Sequence, residues 1–384
     1  MVTGCIVARD EARLLPGCID SLRGVVSEII VVDHGSQDDT AAVAGRAGAR
    51  VIRSAELHHE IARNTYLEVV RTPWVLVLDA DERLATAGHE AITSITGAAP
   101  PDVLGFGLER YDYIGGGRWA ESRLVRLFRA NPRIRYFPSR AHASVVPAIE
   151  GLGGIVELAE APIHHLDALA PRDHAKRRAG MRARLEAEIA AGGMAVMRCF
   201  LALELFATGQ SDAATVELQR AFAENPRCEP IARLFLAQQH RACGRFEDAA
   251  QEARRVLDGE RTFRGRVGAW VVLADACDAR GDIEGAIEAC RAALVETPGS
   301  AALHLDLAAL LAEVDREAAR SHFAAAVQKN PWLVSPAIFP EGTPTSIFRQ
   351  QDSFLTRVPR GDILAASLGH RALEPARHEA TIVR

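Results

Sequence analysis

The stretch Trp74-Val75-Leu76-Val77-Leu78-Asp79-Ala80-Asp81-Glu82-Arg83 constrains this chain more than any other. An unbroken apolar run this short suits a strand buried on both faces of a parallel sheet. It ends in three carboxylates within four positions. Asp79 and Asp81 are two apart, so on an extended chain their side chains share a face. Two carboxylates at the mouth of an α/β sheet make a divalent-cation site that can hold a diphosphate. The plain alternative is a solvated acidic turn.

Three earlier segments repeat the pattern. Val2 to Ala8 runs apolar into Arg9-Asp10-Glu11, followed by helical spacing through Leu15, Cys18, Ile19 and Leu22. Glu28 to Asp33 opens into His34-Gly35-Ser36-Gln37-Asp38-Asp39-Thr40, a loop with Gly for the turn and Asp or Thr to cap a helix over 41–47. Gly48 to Ile52 reads as a third strand, and Glu60 to Val70 as a helix stopped near Pro73. Strand alternating with helix predicts a doubly wound, mostly parallel α/β sheet with ligands at the carboxyl ends of its strands. Arg9, Asp33 and the Asp79/Asp81 pair all fall at such ends. Beyond Glu82 the pattern predicts a helix over 86–97, a strand over 103–110 and a flexible aromatic loop over 111–119.

In order and spacing, Cys5 to Glu11, Ile29 to Thr40, Ala62-Arg63-Asn64 and Leu78 to Glu82 resemble the motifs of family 2 glycosyltransferases over roughly the first 165 residues. The resemblance implies the Rossmann-like GT-A fold. It also implies metal-dependent, inverting transfer of a sugar from a nucleotide donor, UDP-linked, with Mn²⁺ or Mg²⁺ as cofactor. On this likeness Asp33 takes the base, Asp79 the ribose or a metal-bound water, and Asp81 the cation. Arg9, Glu11, Arg63, Asn64 and Arg126 belong with the donor; the alternative for Glu11 is local capping, and for Arg63-Asn64 a helix-surface pair. Trp119 is the expected sugar-stacking residue of the acceptor pocket. His165 sits where a late histidine completes the metal site.

One departure matters. Where the family carries a general-base Glu after its Arg-Leu-Phe-Arg strand, this chain has Ala143, within Arg140-Ala141-His142-Ala143-Ser144. Base work then falls to His142, Asp112 or Glu121, of which His142 has the suitable intrinsic pKa.

From about residue 194 the sequence repeats itself at a period of about 34 to 37 residues. Gly209, Gly244 and Gly281 each precede an alanine by five positions, at Ala214, Ala249 and Ala286. Ala221, Val256 and Ala293 follow seven further on, and Pro226, Pro298 and Pro331 close units. These spacings resemble the tetratricopeptide repeat, an all-α solenoid, with about four copies. Such arrays hold a protein partner or simply pack. The expected domains are 1–168 (GT-A), 169–193 (a linker helix bearing the basic run Arg172 to Arg184), 194–333 (repeats) and 334–384 (a cap or a disordered tail).

Composition closes off other classes. A net charge of -5 gives no global attraction to nucleic acid. The seven cysteines lack any Cys-x-x-Cys spacing, which disfavours a zinc site and suits a reducing compartment. No run reaches membrane-spanning length, so the expected location is cytoplasmic, at most membrane-peripheral. The expected partners are a nucleotide-sugar donor and a peptide, protein or glycan acceptor. The competing reading is a catalytically impaired GT-A domain serving as a nucleotide-sugar-binding or interaction scaffold. A nucleotidyltransferase ranks third, because Arg9-Asp10-Glu11-Ala12-Arg13 is a poor phosphate loop.

Overall fold

A computed structural model of the chain describes residues 1–54, 59–136, 144–170, 173–259, 261, 263, 265–340 and 354–369. The chain divides into two compact units: Met1–Asp112 with Ser122–Asp167, and Tyr113–Glu121 with Ala168–Arg384.

In the first unit β1 (Val2–Ala8), α1 (Leu15–Ser21), β2 (Glu28–Asp33), α2 (Thr40–Arg46), β3 (Arg50–Arg53), α3 (His59–Val69) and β4 (Trp74–Asp79) alternate as the sequence predicts. There follow β5 (Glu82–Leu84), α4 (Ala87–Ala98), β6 (Val103–Gly115), β7 (Arg118–Arg129), α5 (Val146–Glu150) and β8 (Ile155–His165). The eight strands form one sheet in the order β3-β2-β1-β4-β7-β6-β8-β5. β3, β2, β1 and β4 run parallel; β7 joins β4 antiparallel, β8 is parallel to β6, and β5 is antiparallel to β8.

The apolar runs of β1, β2 and β4 are explained by burial on both sides. Ile6, Val31, Leu76 and Leu78 pack with Leu15, Ile19 and Ile92 on one face. Cys5, Val7, Ile30, Val32, Val75 and Val77 meet Ala62, Tyr66 and Phe128 on the other. Alternate side chains therefore feed two cores, which is why the interiors of these strands carry no charged residue, and the one polar side chain inside β1, Thr3, is buried against the Thr72 hydroxyl.

The loop expected over 111–119 is instead a hairpin. β6 continues to Gly115 and β7 begins at Arg118. Gly115, Gly116 and Gly117 have φ of 108°, 63° and 81°, which confines the reversal to a tight turn.

The second unit begins its helices with α6 (His174–Ala190), started by Asp173 accepting from the Lys176 amide; the segment expected as a linker lies within this unit. Four antiparallel pairs follow: α7 (Val196–Ala207) with α8 (Ser211–Glu224), α9 (Glu229–Ala242) with α10 (Phe246–Leu257), α11 (Arg266–Ala279) with α12 (Ile283–Glu296), and α13 (Ala301–Leu311) with α14 (Arg316–Lys329). Gly209, Gly244 and Gly281 have φ of 76°, 70° and 78°, the left-handed conformation that lets each first helix turn into its partner. Ala214, Ala249, Ala286 and Ala319 are fully buried, as the repeat spacing predicts for close helix crossings. The fourth pair lacks the glycine, and Asp315 caps α14 by accepting from the Ala318 amide. The described part of the terminal segment is ordered: Phe354 and Leu355 are buried, and α15 (Gly361–Leu368) packs on α14. All seven cysteines are free thiols. Among the described residues no helix is long and apolar enough to cross a membrane.

Candidate functional site

Strand register fixes the frame. Ala8 pairs with Asp33 and Val7 with Asp79, so β1, β2 and β4 end level. The loops leaving β1 and β2 are laced together. Asp10 takes the Gln37 amide at 2.7 Å, the Glu11 amide donates to Thr40 Oγ1 at 2.8 Å, and the Ala12 amide donates to Asp38 at 3.2 Å. Asp10 has a φ of 56°, a strained value for a residue with a Cβ, held by these contacts. The Glu11 carbonyl accepts the Leu14 and Leu15 amides in the turn that leads into α1. Asp33 is buried and takes the Ser36 amide on Oδ1 at 3.1 Å; among the described residues its other oxygen has no partner. Arg9 is exposed, with its side chain 57% accessible and Asp10 4.0 Å away.

Asp79 does not stand beside Asp81 as a twin ligand. β4 ends at Asp79, and a turn at Ala80-Asp81 breaks the extended geometry that placed both on one face. Asp79 instead bridges Arg63 at 2.5 Å and Arg126 at 2.6 Å. Burial pushes its carboxyl up, but Arg126 and Arg63 outweigh this and hold it well below the usual range. Glu82, with no exposed side-chain surface, takes Arg126 at 2.5 Å and Arg110 at 3.1 Å on one oxygen, and the Asp79 amide on the other at 2.9 Å.

His165 on β8 lies in register with Asp112 on β6 and with Glu82 on β5. Its Nδ1 meets Asp112 at 2.6 Å and its Nε2 lies 3.6 Å from Asp81. Burial and Arg110 push the imidazole down; Asp81 and Asp112 push it up further, to about 9. The group therefore holds four carboxylates (Asp79, Asp81, Glu82, Asp112) against Arg63, Arg110, Arg126 and His165. An oxygen and a nitrogen donor facing each other suit Mn²⁺ or Mg²⁺, which complete their shells with water and substrate phosphate. Asp81 and His165 would fit such an ion as a two-ligand pair once the ion displaces the proton from Nε2, while Asp79 is committed to arginine. Among the described residues no group of three or more such ligands gathers.

The other sequence-derived candidates are placed as follows. Asn64 spends both ends of its amide on the Tyr136 main chain, at 3.1 and 2.9 Å, and so shapes that segment instead of facing a donor. Asp112 is saturated by Arg110, His165 and Ser122; burial raises its carboxyl, but these partners lower it below the usual range, which makes it a poor base. Glu121 accepts from Ser300 Oγ and from the Ala302 amide, capping α13. Trp119 is fully buried, its ring edge-on to Phe354 at 4.4 Å, so it is a core side chain of the second unit and not an open stacking platform. His142 and Ala143 lie outside the described residues. Sequence reasoning missed Glu82 as a bridge, Arg110 and Ser122. The signal was available for Arg110, which shares a face of β6 with Asp112 two residues on.

Fold and sheet edge together describe an α/β domain with an acidic, arginine-braced cluster at the carboxyl ends of its strands. Residues 4–142 match Glycosyl transferase family 2, and residues 267–310 match a tetratricopeptide repeat. The chain thus carries a family 2 glycosyltransferase domain followed by tetratricopeptide-type helices. It is 40% identical over 137 residues to a TPR repeat-containing protein of Synechococcus elongatus, covering 35% of this chain and 33% of that one. It is 31% identical over 152 residues to the lipopolysaccharide core biosynthesis glycosyltransferase LpsC of Rhizobium meliloti, covering 37% and 56%. The chain spans about a third of the length of the first curated relatives it matches. Glucosyl-3-phosphoglycerate synthase of Mycobacterium tuberculosis, solved with Mn²⁺ and UDP, aligns at 23% identity over 29% of this chain and 44% of that one, with a TM-score of 0.25.

Proposed function

We propose that the first unit transfers a sugar from a UDP-linked donor, aided by Mn²⁺ or Mg²⁺, to an acceptor with inversion. The observation that carries this reading is the placement of Asp33 and Asp79 at neighbouring strand ends, with Asp81 in the turn just beyond Asp79. The second carboxylate oxygen of Asp33, without a partner among the described residues, accepts from the imide N–H of uracil. Arg9 faces the diphosphate. Asp79, pinned by two guanidiniums, keeps the mouth of β4 rigid and its pair of arginines oriented. Asp81 and His165 hold the cation, which when bound neutralises charge on the departing diphosphate. Asp112 orients His165 through Nδ1. His142 is the proposed base. The likeness to LpsC supports a glycan as the acceptor over a peptide or protein.

The test is release of UDP from a panel of UDP-sugars with and without Mn²⁺. Asp81→Ala is expected to abolish turnover while keeping the unfolding transition; retained turnover at saturating donor refutes the cation role. His142→Ala is expected to lower kcat with donor affinity unchanged. A second reading, a donor-binding scaffold without turnover, is favoured by Ala143 at the family's base position and by the committed state of Asp112 and Glu121. Calorimetric donor binding with no UDP release by the wild-type chain would select it.

A further inference from the structure

Within the second unit, two buried carboxylates and a half-buried arginine on the first helices of successive pairs converge on one short segment. Asp275 on α11 and Asp306 on α13 are 1% and 0% exposed. Burying carboxylates without partners costs several kcal/mol, so each requires compensation. Their described partners include the main chain of residues 354–356, far away in sequence. Asp306 accepts from the Leu355 amide at 3.0 Å, and Asp275 accepts from the Thr356 amide at 2.8 Å and its hydroxyl at 2.6 Å. Arg241 on α9 pairs with Asp275 at 2.7 Å and donates to the Phe354 carbonyl. Arg118 donates to the carbonyls of Leu355 at 3.1 Å and Val358 at 3.4 Å, with its guanidinium over the Phe354 ring. Arg357 reaches Asp278 on α11 at 2.8 Å.

We infer that the first helices of these pairs form a peptide-binding site, and that the chain's own Phe354-Leu355-Thr356-Arg357 occupies it as an intramolecular ligand. The grip is mainly on backbone N–H and C=O groups, with side-chain selection by one aromatic, one threonine hydroxyl and one cation. That division, main chain for affinity and side chains for specificity, is how a peptide ligand is held. The partner that fits is a peptide with the same order, aromatic-Leu-Thr-Arg, folding into the turn closed by the Val358 amide and the Leu355 carbonyl. It gains the site by displacing the internal copy.

The probe is a fluorescent heptapeptide with the sequence of Phe354 to Arg360. A full chain carrying Phe354→Ala and Leu355→Ala is expected to bind it at least tenfold more tightly than the wild-type chain. Adding Asp275→Asn, or methylating the peptide's Thr356 main-chain nitrogen, should remove that gain. A double variant that keeps its helical circular dichroism yet binds no more tightly than wild type overturns the inference, as does binding indifferent to Asp275→Asn. Should the double variant fail to fold, hydrogen exchange on the wild-type chain decides. Heptapeptide at ten times its Kd for the opened site is expected to speed exchange of the Leu355 and Thr356 amides about tenfold, leaving α11 unchanged. Unaltered rates would make the segment an integral part of the fold.

Discussion

Replacing Trp119 by alanine separates the role the sequence suggests for this residue from the role its surroundings impose. A sugar-stacking tryptophan contributes to acceptor affinity and little to folding. In the structure Trp119 is fully buried, edge-on to Phe354 at 4.4 Å and 6.2 Å from the Tyr113 ring. Burial of roughly 200 Å² of tryptophan surface at about 25 cal/mol per Å² gives about 5 kcal/mol, an upper bound because the unfolded chain already hides part of it. Truncations of this kind destabilise by about 3–5 kcal/mol, since the cavity relaxes only partly. For a unit of this size that lowers Tm by roughly 10 °C. Calorimetry on wild type, Trp119→Phe and Trp119→Ala should show a graded loss confined to the transition of the second unit. An unshifted transition together with a raised acceptor KM would refute the packing role and restore the stacking one.

Three further perturbations bear on other contacts. Asp79→Asn leaves Arg63 and Arg126 without their shared carboxylate, and urea titration should show a loss of about 3–5 kcal/mol in the first unit. Gly17→Ala would set a Cβ 2.6 Å from Arg83 Nε, driving that side chain from the carbonyls of Leu14, Ala80 and Glu82; about 1–3 kcal/mol should be lost, read from the same titration. His304 and His322 face each other at 2.9 Å between Nδ1 atoms, and both are held below the usual imidazole range. For each the first cause is burial, joined by Lys329 for His304, and by His304 and Arg291 for His322. A depressed histidine contributes stability that is present above the unfolded pKa near 6.5 and lost as the pH falls below it, up to about 1.4 kcal/mol per pH unit for each. Denaturation midpoints taken between pH 7.5 and 5 should therefore fall, and fall less in His304→Gln/His322→Gln; identical slopes would count against it.

Much of this molecule is legible in local pattern. Apolar-rich segments of six or seven residues, each leading into polar groups, mark β1, β2 and β4 to within a residue, because burial on both faces leaves no room for a charged side chain in the strand interior. The glycine-then-alanine spacing marks the helix pairs, because a left-handed turn and a close crossing each exclude larger residues. The sequence also determined which residues stand at the strand ends, Asp33 and Asp79 among them.

Their partners were settled only by the tertiary structure. Arg126 reaches Asp79 from 47 positions away, and His165 reaches Asp112 from 53. Such pairs depend on sheet order and register, which no local period encodes. Trp119 and Glu121 illustrate the same limit: their neighbours, Phe354 and Ser300, lie well over a hundred residues downstream, and those neighbours turned a supposed stacking ring into core and a supposed base into a helix cap. Periodicity reports how a side chain is presented by its own element; what it meets there is decided by the packing of elements remote in the chain.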